Sequence, residues 1–598
     1  MDKERKLAEA YLSGRMSRRQ MLRAAAGMGA SLPALAFLVA CGQQAGAPAA
    51  PTAAPAEAAP TAAPAEAAPT AAPAEAAPTA APAPTAAPAA GTPRAGGTLV
   101  MSYRQAVGDV LNQHISNNTQ SRMVARHVLD CLVYVEPSTG EVKPWLATSW
   151  EISEDATSYT FNLRNDVTFH DGTPFNAAAV KANFDYTMDP NRKPGFAYGA
   201  LGGENYDGTE VVDEFTVQIN FKEPYGVFLT YLSDGGLSID SPAALEQYGE
   251  DYGVTALVGS GPFKFVEWVQ NDRVVLEKNP DYNWGPPVTH QGPALLDGII
   301  FQDIVEASTR AAALQNGDVH IAQMAEAQAE QLRSLSEVET LLVGRAGTTR
   351  MFLMNLKRPP LDDIRVRQAI NHATDKAAFI QLPAWSGIGK PGVAPLPSHL
   401  VPEEVFAQLT ELDYAYDPDR ANALLEEAGW TMGPNGIRQK DGRELIFDMV
   451  TVDGTVPNIE PFDGMLNQVG IKLNIKPGDF NFWIGSVDAG EFDMTLMSDS
   501  GYNAPGLVEE FFNSTSSYND YGFSDPQVDE YLTAALASPD KAVQWENLGA
   551  AMAIIIQNAV GVMAWEQQFI YGKRKEVMDA RFNEIGFPYF YETWIAEA

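Results

Sequence analysis

The amino-acid sequence predicts an α/β protein with mixed sheets, its strands and helices interleaved along the chain. Three observations carry that expectation. Tyr159-Thr160-Phe161-Asn162-Leu163-Arg164 alternates apolar and polar side chains, the period of a half-buried strand. Gly97-Thr98-Leu99-Val100-Met101-Ser102-Tyr103 reads as a strand near the start of the non-repetitive sequence. Asp417 and Pro418 open a helix whose apolar face is Leu424, Leu425 and Ala428, and Gly429 closes it. Between these, a polar turn at Asn165-Asp166 leads into Val167-Thr168-Phe169, so 159–169 is expected to form a hairpin. Asp171-Gly172-Thr173-Pro174 is a further turn. Asn176 then caps a helix running towards Met188, before Asp189-Pro190 stops it.

The first forty residues read as an address rather than as fold. They carry Lys3, Arg5, Lys6, Arg15, Arg18, Arg19 and Arg23 against Asp2, Glu4 and Glu9, and an uncharged run, 24–40, follows. That run is shorter and less apolar than the ~20 residues a membrane-spanning helix needs. A basic flank, a modest apolar run and small residues before a boundary describe an export signal. Ser17-Arg18-Arg19-Gln20-Met21-Leu22 resembles the twin-arginine signal. Leu38-Val39-Ala40-Cys41-Gly42 resembles a bacterial lipobox, which implies cleavage before Cys41 and a lipid on its sulfur. Such an acylated chain would be anchored to the membrane without spanning it. The general export route stays open beside the twin-arginine one.

Residues 41–95 are expected to be a disordered tether. Pro51-Thr52-Ala53-Ala54-Pro55-Ala56-Glu57-Ala58-Ala59 repeats from Pro60 and again from Pro69, then degrades from Pro78. Recurrent proline removes amide donors, and almost nothing here can form a core.

Composition excludes several function classes. A formal charge of -35 would be repelled by phosphate backbones, so no nucleic acid is expected as a partner. Only Cys41 and Cys131 occur, too few for a disulfide scaffold or a cysteine-rich metal site. No two of the seven histidines fall three to five residues apart, so no paired-His helical motif exists and no metal is expected. No nucleophile elbow, zinc-protease helix or Walker loop appears. Gly387-Ile388-Gly389-Lys390-Pro391-Gly392 fits the dinucleotide fingerprint, but Pro383, Pro391, Pro395 and Pro397 surround it and make it a loop. His170-Asp171 sits on a turn and reads as structural. Cys131 reads as a buried small residue.

A longer pattern is specific. Lys143-Pro144-Trp145-Leu146-Ala147-Thr148-Ser149-Trp150-Glu151 is followed by 159–164 and by Val167-Thr168-Phe169-His170-Asp171-Gly172-Thr173-Pro174. Gly259-Ser260-Gly261-Pro262-Phe263-Lys264-Phe265, Asn279-Pro280-Asp281-Tyr282, Ala313-Leu314-Gln315-Asn316-Gly317-Asp318, 355–376 and Ala428-Gly429-Trp430 follow in order. This set resembles the family 5 extracellular solute-binding proteins, the oligopeptide, dipeptide and nickel receptors of ABC importers.

The resemblance implies a two-lobed periplasmic-binding-protein-like fold, type II and cluster C-like, with an extra subdomain in the first lobe. Lobe I would comprise 96–142, 258–345 and a return at 555–598, the extra subdomain 143–257, and lobe II 346–554. It implies a non-catalytic receptor, without cofactor and monomeric, that closes on a solute and delivers it to ABC permease subunits. The compartment would be extracytoplasmic, periplasm or cell surface.

The ligand stays open. Peptide receptors of the family hold the peptide ammonium with an Asp shortly after a strand like Phe492-Asp493-Met494. Here that Asp would fall on Gly501 or Tyr502, with Asp499 displaced but near. Either a carboxylate such as Asp499 substitutes, or the ligand is neutral, such as an oligosaccharide. By position, the ligand-binding candidates are Tyr103, Arg104, Trp385, Trp483, Asp499, Tyr502 and Asn503, each also able to serve as packing or surface. A secreted hydrolase on the same lobes, or a surface protein docking a sensor partner, are the competing classes.

Overall fold

In the computed structural model, residues 93–596 are described, apart from 109, 137–140, 193, 234, 382–388, 502 and 584–585. Cys41, the tether, Trp385 and Tyr502 therefore lie outside the described residues. Three sheets organise the rest. Their strands, in chain order, are β1 (Thr98–Tyr103), β2 (Ala147–Ile152), β3 (Ser158–Leu163), β4 (Tyr206–Asp213), β5 (Thr216–Phe221), β6 (Phe263–Val269), β7 (Arg273–Lys278), β8 (Gly298–Asp303), β9 (Ile321–Gln323), β10 (Val338–Gly344), β11 (Arg350–Met354), β12 (Lys390–Pro391), β13 (Ile446–Val452), β14 (Lys472–Gly478), β15 (Met494–Met497), β16 (Gly561–Glu566) and β17 (Gln568–Arg574).

The first lobe is built on a seven-stranded sheet of order β10-β17-β9-β1-β8-β7-β6. β1 runs parallel to both neighbours, β8 and β9, while β17 pairs antiparallel with β9 and β10. The second lobe is built on a six-stranded sheet, β12-β16-β11-β15-β13-β14. A four-stranded antiparallel sheet, β2-β3-β5-β4, lies within the 143–257 segment, and its inward residues share one apolar core with the first sheet.

Strand alternation explains how the second sheet is covered on both faces. Phe352 and Met354 of β11 enter one core with Phe447, Met449 and Leu496, while Met351 and Leu353 enter the other with Val450 and Met497. Successive side chains of a strand point to opposite faces, so a run with no polar interruption buries both.

Local expectations fare unevenly. Asn176 caps Ala177–Thr187 by accepting from the Ala179 amide, and Asp417 caps Pro418–Glu427 by accepting from Arg420, with Gly429 at φ 87° beyond the end. The expected hairpin at 159–169 does not form: β3 pairs with β2 and β5, and Val167-Thr168-Phe169 instead turns tightly on itself through a Thr168–Pro174 bridge. A three-residue partner next along the chain does not outweigh two longer strands that supply full ladders. The return to the first lobe also comes later than 555. β16 hydrogen-bonds β11 and stays in the second sheet, so the chain crosses back at Gln567.

The family-like motifs are a packing junction. Val128 and the glycines of Gly259-Ser260-Gly261 lie so close that a Cβ on Gly259 would sit 2.2 Å from the Val128 carbonyl. His170 and Asn279 converge on the Gly261 carbonyl at 2.9 and 3.1 Å, which accounts for the His170-Asp171 turn structurally. Behind this junction Asp130 is fully buried. Ser260 Oγ and Trp284 Nε1 each donate to it at 3.0 Å, and Tyr282 donates at 3.4 Å. Desolvation outweighs those donors and pushes its carboxyl up to about 7.

An acid whose pKa is higher folded than unfolded binds its proton more tightly in the native state. Stability from Asp130 is therefore present at low pH and is lost as pH rises from its unfolded value towards about 7. Between pH 5 and 7 the loss should reach roughly 2–3 kcal/mol. Urea or thermal midpoints across that range should fall in the wild type by an amount missing from Asp130→Asn.

Candidate functional site

The two lobes are joined by two crossings, β10 to β11 through 345–349 and β16 to β17 through Gln567. Side chains tie these crossings together. Gln567 Oε1 accepts from Arg345 Nη1 at 2.6 Å and from Arg350 Nε at 3.3 Å, while its Nε2 donates to the Thr348 carbonyl at 3.4 Å.

Ligand crevices in open α/β sheets lie beyond the carboxyl ends of strands, where neighbouring connections diverge. β1 meets this condition in the first sheet, with later parallel strands on both sides. Its last residue, Tyr103, is buried and stacked on Phe301 at 5.9 Å, so it belongs to the core. Arg104, one position later, emerges into the cleft, its amide donating to Gln323 Oε1 at the end of β9. In the second sheet, β15 delivers Asp499 and Ser500. The crossing holds this arm by its backbone: Thr348 N–H donates to the Asp499 carbonyl and Thr348 Oγ1 accepts from the Asp499 amide, both at 2.9 Å. Gly347, at φ 138°, is required there, because a Cβ would lie 2.1 Å from that carbonyl.

Two chambers open on either side of Ser500 and Gly501. The first, about 300 Å³, is basic: Arg104 and Arg122 face Arg345, with Gln323, Phe569 and Phe587 among its walls. Arg345 Nη2 donates to Ser500 Oγ, reaching from the crossing to the second lobe. Burial, opposed by Asp499 and reinforced by Arg104, holds the Arg345 guanidinium below its usual pKa. Burial and then Arg345 bring Arg350 down to about 10.

The second chamber, about 530 Å³, is acidic and aromatic, with Asp499, Glu509 and Glu510 opposite Phe196, Tyr225 and Tyr231. Burial, then the charge and a hydrogen bond of Asp499, then Glu509, push the Glu510 carboxyl up to about 7. Phe196 forms a shared wall, since the Arg122 guanidinium lies 4.0 Å over its ring.

The lobes also touch beyond the crossings. Asn503 Nδ2 donates to Tyr231 OH at 2.9 Å, Lys541 Nζ to Thr230 Oγ1 at 2.8 Å, and the Gly226 amide to the Leu536 carbonyl at 2.9 Å. Asn503 Oδ1 is buried beside the acidic chamber with no partner among the described residues.

Of the sequence candidates, Arg104, Asp499 and Asn503 come together at the cleft. Tyr103 does not, and neither does Trp483. The Trp483 indole donates to Thr495 Oγ1 at 2.9 Å on the helix Phe480–Asp488 and packs against the second core, lining neither chamber. Arg122, Arg345, Gln567, Tyr231 and Glu510 were not singled out from sequence. Glu509-Glu510 had a readable signal, two carboxylates inside the apolar run Leu507-Val508-Glu509-Glu510-Phe511-Phe512. The arginines had none, because their convergence is tertiary. Of the fingerprint-like segment, Gly387 and Ile388 lie outside the described residues, and Lys390–Pro391 forms an edge strand on β16. Among the described residues no cluster of His, Cys, Asp and Glu could hold a metal, and no helix is long and apolar enough to cross a membrane.

Comparison with known proteins agrees with this arrangement. Residues 141–521 match the family model for bacterial extracellular solute-binding proteins, family 5 middle. Glutathione-binding protein GsiB of Pectobacterium atrosepticum is 31% identical over 444 residues, covering 72% of this chain and 81% of the relative. GsiB of Escherichia coli K12 is 31% identical over 471 residues, covering 75% and 85%. Among solved structures, NikA from Brucella suis in complex with Fe(III)-EDTA superposes with a TM-score of 0.73 at 27% identity, covering 83% of this chain and all of that one. With two lobes, two crossings and a cleft between them, the chain belongs to the bacterial extracellular solute-binding proteins of family 5.

Proposed function

We propose that this protein is the lipid-anchored receptor of an ABC importer, capturing a peptide-like organic solute between its lobes and passing it unchanged to a membrane permease. One observation carries the reading: carboxylates of the second lobe and arginines delivered by the first lobe and the crossing open into adjoining chambers. A solute with an ammonium at one end would be held by Asp499 and Glu510, with Tyr231 and Tyr225 flanking it. Asp499, displaced from the position of the family Asp, would then act together with Glu510. Glutathione, which the relatives named above bind, is itself a peptide derivative, and that supports a peptide-like ligand over an oligosaccharide. The relatives named above are binding proteins, which favours a receptor over a hydrolase. Cys41, at the end of an export signal, would hold the receptor at the membrane outside the cytoplasm.

Closure is driven only by contacts made in the closed state. Small-angle scattering should show a more compact particle when a bound peptide is present, and mass spectrometry should recover that peptide intact; an unchanged profile or a cleaved peptide would contradict the reading. Asp499→Asn should weaken a peptide at least about tenfold, since one partner of a buried ammonium is lost. The same variant should leave a neutral sugar nearly untouched.

Glu510 supplies a pH signature. To receive an ammonium it must lose the proton it holds below about 7, so peptide affinity should rise as pH increases from about 5.5 to 7, below the range in which the peptide's own ammonium deprotonates. Calorimetry in buffers of different ionisation enthalpy should register proton release in that range. Glu510→Gln should flatten the affinity profile.

A further inference from the structure

The acidic chamber offers more acceptors than one ammonium uses. Asp499 and Glu510 are hydrogen-bonded to each other, and Asp499 also acts on Arg345. Glu509 stands apart from that set. Its carboxyl has no hydrogen bond or ion pair among the described residues, and burial holds it above its usual pKa. None of the described residues lining the chamber is Lys or Arg.

A second observation is independent of the carboxylates. Asn503 lines the same chamber and is the N-cap of the helix Ala504–Phe512, yet its side chain accepts no amide of the first turn. An asparagine in that position ordinarily does so through its oxygen. Here Nδ2 donates to Tyr231 OH at 2.9 Å, and Oδ1 is left without a partner among the described residues, on a side chain only 6% exposed. A buried acceptor left unsatisfied is costly, so it calls for a donor. Gly506 makes this placement possible, because a Cβ there would lie 2.4 Å from Asn503 Nδ2. Helical spacing puts Asn503, Gly506 and Glu510 on one face, with Glu509 at its border.

The space and the walls select the kind of donor. About 530 Å³ exceeds what an ammonium alone needs and lies within the range of ligand pockets. Tyr225 and Tyr231 stack at 6.2 Å with 17° between their planes, and Phe196 meets Tyr231 at 6.4 Å in a T-shaped contact. Flat aromatic walls beside carboxylate and carbonyl acceptors suit a guanidinium, which lies on ring faces, carries five donors in one plane and is weakly hydrated. An ammonium has three donors and no plane to stack.

We propose that the acidic chamber seats a guanidinium side chain on the first residue of the solute, with Glu509 and Asn503 Oδ1 as its acceptors, beside the ammonium held by Asp499 and Glu510. The proposal rests on the receptor reading above and goes beyond it by naming the side chain that accompanies the ammonium.

Calorimetric titration of the purified protein with three tripeptides tests it: arginyl-, citrullinyl- and lysyl-alanyl-alanine. The ammonium is common to all three. Citrulline keeps the length and plane of arginine without its charge, and lysine keeps the charge without the plane. The arginyl peptide should bind at least about tenfold tighter than the citrullinyl peptide and at least about threefold tighter than the lysyl one. Glu509→Gln, a near-isosteric change at a carboxyl with no internal partner, should cut the arginine-over-citrulline preference to less than about threefold by weakening the arginyl peptide. Asn503→Ala should lower the same preference without altering any charge. Equal affinity for the arginyl and citrullinyl peptides, a lysyl peptide as tight as the arginyl one, or a preference unchanged in both variants would overturn the guanidinium seat while leaving the receptor reading standing. No binding of any of the three peptides and no solute retained by the purified protein would remove both.

Discussion

Gln567 is a single neutral residue shared by two cations, and the geometry of the cleft depends on it. It is the one residue between β16 and β17, and its carboxamide oxygen accepts from arginines at both ends of the other crossing, Arg345 and Arg350. A carboxylate in its place would offset the charge of the pair. An amide holds the guanidiniums in position while leaving their charge available. The same crossing grips the backbone of Asp499 through Thr348, so the acidic arm and the basic floor are registered against one segment. Movement of one lobe relative to the other must work through these bonds and through the contacts that Asn503, Lys541 and Gly226 make across the lobes.

Charge placement in the cleft runs against composition on one side and with it on the other. The acidic chamber is made costly by crowding, since Glu510 faces Asp499 and Glu509 in a space lined by aromatic rings. In the basic chamber burial, reinforced by Arg104 and opposed by Asp499, holds Arg345 below its usual pKa.

The fold was legible in sequence because it rests on local rules and on long family-like motifs. Caps at Asn176 and Asp417 and the strands at 98–103 and 158–163 follow from residue type and spacing. Failures were tertiary. Val167-Thr168-Phe169 looked like a hairpin partner until β2 and β5 claimed both edges of β3. Tyr103 and Trp483 looked available because aromatic residues near strand and helix ends suit clefts, yet sheet alternation turned Tyr103 into the core and Thr495 drew the Trp483 indole away. Arg345 was invisible as a site residue, since its role comes from a partner more than two hundred positions along the chain.

That β17 is threaded between β9 and β10 bears on biogenesis. The middle of the first sheet has a vacancy until residues 568–574 have left the ribosome, so a nascent chain holding everything earlier still presents two unsatisfied strand edges. The first lobe can finish folding only once residues 568–574 are available to fill that gap.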